Sequence, residues 1–256
     1  MAKPANNTVR LFDVEVLNLD MAATVALIDE AIREQRQLVH NCINANKVVL
    51  IQQDKQLKES LDEADIISAD GQAVVWASRL FGSPLKERVP GIDLMEEIVC
   101  HAAEKGYRIF LFGAKEENVS KVAEIYSRKY GPDLVAGYRN GYYKPEEEAE
   151  IARQINESGA QILFVAIPSP QKEIFLKNNK HLMPQVYLMM GVGGSFDVVA
   201  GQVKRSPRWM QDNGLEWLYR LIQEPRKMWR RYLIGNIRYI MITWREYMRY
   251  KKKKNL

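Results

Sequence analysis

Among 256 residues there are only two cysteines and three histidines. Cys42 and Cys100 show no C-x-x-C spacing, and His40, His101 and His181 form no H-x-x-x-H pair, so neither a metal centre nor a disulfide framework is legible. A reduced, cytosolic chain is the expectation. A G-x-S-x-G elbow is missing, which argues against a serine hydrolase of that type. The D-x-D pair that commonly holds a metal beside a diphosphate is missing too. No window reaches the roughly 18 to 20 uninterrupted apolar residues of a membrane-crossing helix. The first 20 residues lack the charged start and apolar stretch of a signal peptide. Neither secretion nor a membrane span is therefore expected.

What the chain does have is size and an uneven charge. With 46% hydrophobic and 27% charged residues it can bury the core of one large α/β domain, alone or with an appendage. From Lys204 onward 15 Lys and Arg stand against 4 Asp and Glu, a net +11, whereas residues 1–203 hold 22 against 28, a net −6. Such a split points to an anionic partner at the C-terminal end.

Short apolar runs rich in β-branched and aromatic residues alternate with helix-period stretches, the pattern of a mostly parallel sheet covered on both faces. Strands are expected near Leu38–Ile43, Asp65–Ala69, Arg108–Phe112, Leu134–Ala136, Gln161–Ile167 and Val186–Met190. Helices are expected near Met21–Glu34, Asn46–Leu61, Gln72–Leu80, Leu94–Glu104, Glu116–Tyr130, Pro145–Glu157 and Gln171–Asn179. The fold class is α/β, a Rossmann-like doubly wound sheet spanning 1–203. Past about Arg208 the texture changes: tryptophans and tyrosines interleave with arginines, Glu224-Pro225 marks a break, and Lys251–Lys254 close a helical, basic-aromatic appendage over 204–256. Basic residues mixed with interfacial aromatics favour an anionic membrane surface over ordinary packing, and both over nucleic acid.

In a doubly wound sheet ligands sit at the carboxyl ends of the strands, so residues just past each strand carry the candidate chemistry. Asp70 follows the Asp65–Ala69 strand and precedes Gly71; it suits a general base, and equally an N-cap of the helix that follows. Asn44, beyond Ile43, is either a substrate contact or a turn residue. The run Gly191-Val-Gly-Gly-Ser-Phe-Asp197 lets backbone amides turn toward a phosphate, or makes a tight turn; the third glycine of a dinucleotide fingerprint is absent, Phe196 standing there. Arg88 lies in a polar connection, placed either to neutralise a diphosphate or merely to be solvated.

Several segments together resemble one family: Asn44-Ala-Asn-Lys-Val-Val49, Ala69-Asp-Gly-Gln-Ala-Val-Val-Trp76, Glu87-Arg-Val-Pro-Gly-Ile-Asp-Leu94, Ile109-Phe-Leu-Phe-Gly113, Gly137–Tyr143, Ser169-Pro-Gln-Lys-Glu173, Gly191–Asp197, and Ala200–Trp209 through Gly214–Arg226. In this order they are similar to the WecG/TagA/CpsF glycosyltransferases, glycosyltransferase family 26, across roughly residues 10 to 235. The resemblance implies inverting transfer from a UDP-sugar to a polyprenyl-diphosphate-linked sugar in cell-surface polysaccharide or wall-polymer synthesis; no cofactor is expected and, with no D-x-D pair, no metal. It implies a cytoplasmic protein held peripherally at the inner face of the membrane. It places Asp70 as base, Arg88 on the diphosphate, and Asn44, Gly191, Gly193, Gly194 and Asp197 in the donor site. Arg220, Arg226 and Arg230 of the appendage would close over a diphosphate. Two departures stand out: Cys42 where many relatives have Thr, and Lys172 where many have Gln, with consequences for the donor sugar, expected to be N-acetylmannosamine-like, its uronate, or a hexose. A homo-oligomer or other partner docking the appendage, a non-catalytic accessory protein of a membrane transferase, and a dinucleotide oxidoreductase are the alternatives carried forward.

Overall fold

The computed structural model describes residues 7–254; residues 1–6 and 255–256, the outer ends of the two expected segments, lie outside the described residues. Six strands form one wholly parallel sheet: β3 (Leu38–Ile43), β4 (Ile66–Ala69), β5 (Ile109–Gly113), β6 (Val135–Arg139), β7 (Ile162–Ala166) and β8 (Leu188–Gly191), in the spatial order β4-β3-β8-β7-β5-β6. Five of the six are buried along their whole length, which is why they read as continuous apolar runs rather than alternating ones. One face is covered by α1 (Met21–Arg33), α5 (Gly91–Lys105), α6 (Glu116–Tyr130) and α9 (Ser195–Val199). Ile28, Leu94, Met95, Val119 and Phe196 from these helices pack together there. The other face carries α2 (Ala45–Leu50), α3 (Lys55–Asp62), α4 (Gln72–Leu80), α7 (Glu148–Glu157) and α8 (Gln171–Asn179), which contribute Val48, Leu57, Val74, Ile151 and Phe175. This is the expected α/β, Rossmann-like layering.

Three elements differ from the reading of the sequence. The stretch expected as one helix over 46–61 is two, α2 and α3, because the Asp54 side chain accepts from the Leu57 amide at 2.9 Å and starts a second helix. An antiparallel hairpin, β1 (Thr8–Leu11) with β2 (Val14–Leu17), precedes the sheet; Phe12 and Asp13 turn it with φ of 52° and 60°. Its turn lacks the Asn-Gly signal of such hairpins, and the burial of Phe12 against Phe81 and Tyr239 offsets the backbone strain. The appendage, expected only as helical with a break at Glu224-Pro225, is built of several elements: α10 (Arg208–Asp212), α11 (Glu216–Gln223), α12 (Pro225–Trp229), a π-helical turn at Arg230–Ile234, and the 20-residue α13 (Gly235–Lys254).

The appendage packs onto the sheet domain. Tyr239 of α13 is buried, donates its hydroxyl to the Ala73 carbonyl at 2.8 Å and stacks against Phe12. Tyr250 lies on Gly82, where any side chain would collide with it. The helix α13 packs chiefly on α2, and just past α2 Arg245 donates to Gln52 Oε1 at 3.0 Å. Its opposite face is open: Leu233 of the π turn and Ile237, Ile240, Met241, Trp244 and Met248 of α13, which recur at helical period, are all exposed large apolar side chains. Exposed Arg231, Arg238, Arg245 and Arg249 flank that stripe. Among the described residues no helix is long and apolar enough to cross a membrane.

Candidate active site

The ends of β3 and β4 bring Asp70 and Asn44 together. Asp70 donates its backbone amide to the Ile43 carbonyl at 3.0 Å, which draws the two strand exits side by side. The Asp70 carboxylate does not cap the helix after it: α4 starts on Gly71 with no side-chain cap. Instead Oδ1 accepts from the Gly91 amide at 3.0 Å, the first residue of α5, and Oδ2 accepts from Asn44 Nδ2 at 3.3 Å. Asn44 is the N-cap of α2, its Oδ1 accepting from the Lys47 amide at 3.1 Å. The same side chain thus starts a helix and holds a carboxylate. Cys42 lies beneath, its Sγ 3.0 Å from where a side chain on Gly91 would begin. Burial first, then the Asp70 charge, push the Cys42 thiol up to about 12, so it stays protonated.

Behind these, on the α2 and α8 side of the sheet, lies a buried polar cluster. Glu173 Oε1 accepts from Lys47 Nζ at 2.8 Å, from Lys172 Nζ at 2.9 Å and from Ser169 Oγ at 2.8 Å. Burial alone would raise Glu173, but the two ammonium groups outweigh it and hold the carboxyl at about 2. Burial and the charge of Lys47 lower Lys172 to about 8, so it carries its proton at neutral pH. Lys172 runs across Gly191, where a Cβ would stand 2.7 Å from its Cε and 3.3 Å from Asn41 Oδ1. Lys47, Glu173 and Asn41 were given no role by sequence reasoning. Lys47 and Glu173 sit inside two of the segments that carried the resemblance, which was the available signal. His40, also buried, meets Ser68 at 2.9 Å and is driven down to about 3 by burial and by Lys47.

The glycine run leaves β8 and enters α9. Gly193 holds φ 55°, a conformation that favours glycine, while Gly194 is small for a different reason: a Cβ there would stand 2.8 Å from Arg220 Nη2. Two of the loop amides are already engaged, Val192 with the Val165 carbonyl at 2.9 Å and Ser195 with that of Val192 at 3.2 Å. Asp197 turns away from the loop and accepts from Asn118 Nδ2 at 2.7 Å. Arg220 of α11 therefore reaches the loop, and Glu216 of the same helix pairs with Arg88. Arg205 holds Asp93 at 2.7 Å, a second clasp between appendage and sheet domain. Arg226 and Arg230 are exposed, the latter 5.3 Å over the Trp229 ring. Among the described residues no group of three or more His, Cys, Asp or Glu is arranged to hold a metal ion.

A doubly wound parallel sheet whose strand ends gather an oriented carboxylate, buried lysines, a glycine turn and an arginine from a C-terminal helical appendage defines a Rossmann-like α/β protein with its chemistry at the carboxyl edge. Within that class the assignment is specific. The model of the glycosyl transferase WecG/TagA/CpsF family matches residues 9–253, and the chain belongs to that family. A sugar donor and an acceptor for the sugar are accordingly its substrates.

Proposed function

We propose that the chain transfers a sugar from a UDP-sugar to a polyprenyl-diphosphate-linked sugar, with inversion, at the inner face of the cytoplasmic membrane. The observation that carries the reading is the Asp70 carboxylate, held on one oxygen by the Gly91 amide and on the other by Asn44 at the mouth of the sheet. A base held on both oxygens by fixed donors keeps further lone pairs for a ligand hydroxyl. Asp70 takes the proton of the acceptor hydroxyl as that oxygen bonds to the anomeric carbon from the face opposite UDP. The anomeric C–O bond breaks, and its electron pair leaves on the diphosphate. A positioned base contributes about 10² to 10⁴ in rate.

The developing diphosphate charge falls to Arg220 at Gly194, to the amides of Gly193 and Gly194, and to Arg88 once Glu216 gives way. The sequence has no D-x-D pair, so in this reading no metal is required. The exposed stripe from Leu233 to Met248, flanked by arginines, supports an appendage lying in the membrane surface, where a lipid-linked acceptor is found. The test is a panel of UDP-sugars with a short-chain lipid-diphosphate-sugar acceptor, following UDP release and product mass. Transfer from one donor is expected in wild type and its loss in Asp70→Asn; near-normal turnover in that variant removes Asp70 from the role.

A further inference from the structure

The appendage crosses the mouth of the site and touches it at successive points. Gly214 lies against Gln72 and Trp76 of α4, Glu216 pairs with Arg88, and Arg220 reaches Gly194. Arg88 stands beside Asp70, since the Val89 amide donates to the Ala69 carbonyl at 2.9 Å. Strand order agrees: the glycine run leaves β8, Asn44 follows β3, and Asp70 follows β4 at the edge of the sheet. Asp70 is therefore flanked by the glycine run on one side and by α4 on the other. In a displacement with inversion the attacking hydroxyl and the leaving group lie on opposite faces of the transferred sugar. With the donor diphosphate at Gly194, the acceptor enters from the α4 side.

α4 presents an open face there. Gln72, Trp76, Arg79 and Leu80 recur at helical period, and the last three are exposed. Trp76 is 51% exposed yet held in place. A Cβ on Gly214 would stand 2.9 Å from Gln72 Cβ and 3.3 Å from Trp76 Cη2, so one edge of the indole is lodged beside Gln72 while much of the ring stays open. Helical side chains lean toward the N-terminus, which in α4 is the end carrying Asp70. Arg79 pairs with no carboxylate among the described residues, which leaves its charge for an anionic group.

Outward from the base this face carries an amide, an aromatic ring, a guanidinium and an aliphatic side chain. A lipid-diphosphate sugar has the matching order of attacking hydroxyl, sugar ring, diphosphate and chain. Gln72 and Arg79 are about 10 Å apart along the helix, room for a sugar ring and a diphosphate end to end. Just past Leu80, Gly82 meets Tyr250 of α13, so the far end of the face adjoins the helix whose open stripe suits a membrane surface. We propose that the exposed face of α4 is the track of the acceptor: Trp76 stacks on its sugar ring, Arg79 holds its diphosphate and Leu80 receives the start of its lipid chain. This rests on the lipid-linked-acceptor reading above and gives that substrate its place.

The test is calorimetric titration of the full chain with UDP, with farnesyl diphosphate, and with farnesyl diphosphate bearing glucose, galactose or N-acetylglucosamine. Wild type should bind at least one sugar-bearing probe about fivefold or more tightly than farnesyl diphosphate, the scale of an aromatic stacking contact. Trp76→Ala should erase that difference and Trp76→Phe should restore most of it. Arg79→Gln should weaken sugar-bearing and sugar-free probes alike, by about fivefold or more, and Arg79→Lys should recover part of the loss. All four variants should keep UDP affinity within about twofold of wild type and keep the thermal midpoint, because the changed side chains are exposed. Equal losses for UDP and for the probes in Trp76→Ala would move the tryptophan to the donor side and overturn the proposal. Probes that bind wild type, Trp76→Ala and Arg79→Gln alike would overturn it too. Failure of wild type to bind any probe while it still binds UDP would instead remove the lipid-linked-acceptor reading, and this inference with it.

Discussion

Asn44 gives its amide hydrogen to the Asp70 carboxylate at 3.3 Å while its carbonyl oxygen caps α2 at the Lys47 amide, so one side chain couples the start of a helix to the aim of the carboxylate proposed as the base. The two duties are separable. Asn44→Ser keeps an oxygen for the Lys47 amide but has no amide to give Asp70 at that reach. Stability should change by less than about 1 kcal/mol, the scale of a cap. Turnover should fall by about tenfold or more at nearly unchanged UDP affinity, the cost of a poorly held base. Denaturant midpoints and steady-state kinetics of the same preparation check both halves.

Among the described residues Glu173 is the one carboxylate paired with both buried lysines, and its removal should be far worse than removal of Lys172. In Glu173→Gln the Lys47 and Lys172 ammonium groups are left facing each other in a dry site, and a loss of about 3 to 5 kcal/mol is expected. Lys172→Gln leaves the Lys47–Glu173 pair at 2.8 Å intact and should cost little or nothing in stability. Chemical denaturation of the two variants side by side decides it.

His40 gives the fold an acid sensitivity of its own. Its folded value lies near 3 against 6.5 for the free side chain, so the unfolded chain takes up a proton that the native one refuses. The stability it contributes is complete above pH 6.5 and is lost as pH falls from there toward 3. At full slope the loss is about 1.4 kcal/mol per pH unit. Between pH 6.5 and about 4.5, before ordinary carboxylates protonate, His40→Asn should flatten that slope. An unchanged slope in the variant would assign the sensitivity elsewhere.

The open face of α13 makes a prediction about membranes that does not disturb the fold. Ile237, Met241 and Trp244 are 61%, 59% and 63% exposed, so changing all three to Ser should leave the thermal midpoint in place. Binding to vesicles rich in anionic lipid should fall by about tenfold or more, since buried apolar area and basic charge act together there. Cosedimentation against neutral vesicles provides the comparison. Truncation after Asn236 is a poorer test, because it also removes Tyr239 and uncovers Phe12 and Ala73.

The sheet and its covering helices were legible because continuous apolar strands and 3.6-period helices leave strong signals, and Gln72–Leu80, Glu116–Tyr130 and Gln171–Asn179 fall where the pattern puts them. The hairpin at Phe12-Asp13 was not, because tertiary burial rather than turn chemistry holds it. The Asn46–Leu61 stretch shows no break in periodicity until Asp54 is seen to cap. Asp70, Asn44 and the glycine run were legible as strand-end residues. Lys47 and Glu173 were not, since nothing local says that residues 126 apart share a hydrogen bond. Asn41, inside a strand, offered no signal at all.

The most direct test of the account is transfer itself: purified protein, a UDP-sugar panel including the uronic donors, a short-chain lipid-diphosphate-sugar acceptor and no added metal, with UDP and product followed by mass. The account predicts one donor turned over by wild type, with product of inverted anomeric configuration, and a loss of about 10² or more in Asp70→Asn that leaves UDP binding in place. Turnover undiminished in that variant, or no UDP binding by wild type at all, would contradict it, the latter favouring a non-catalytic accessory role.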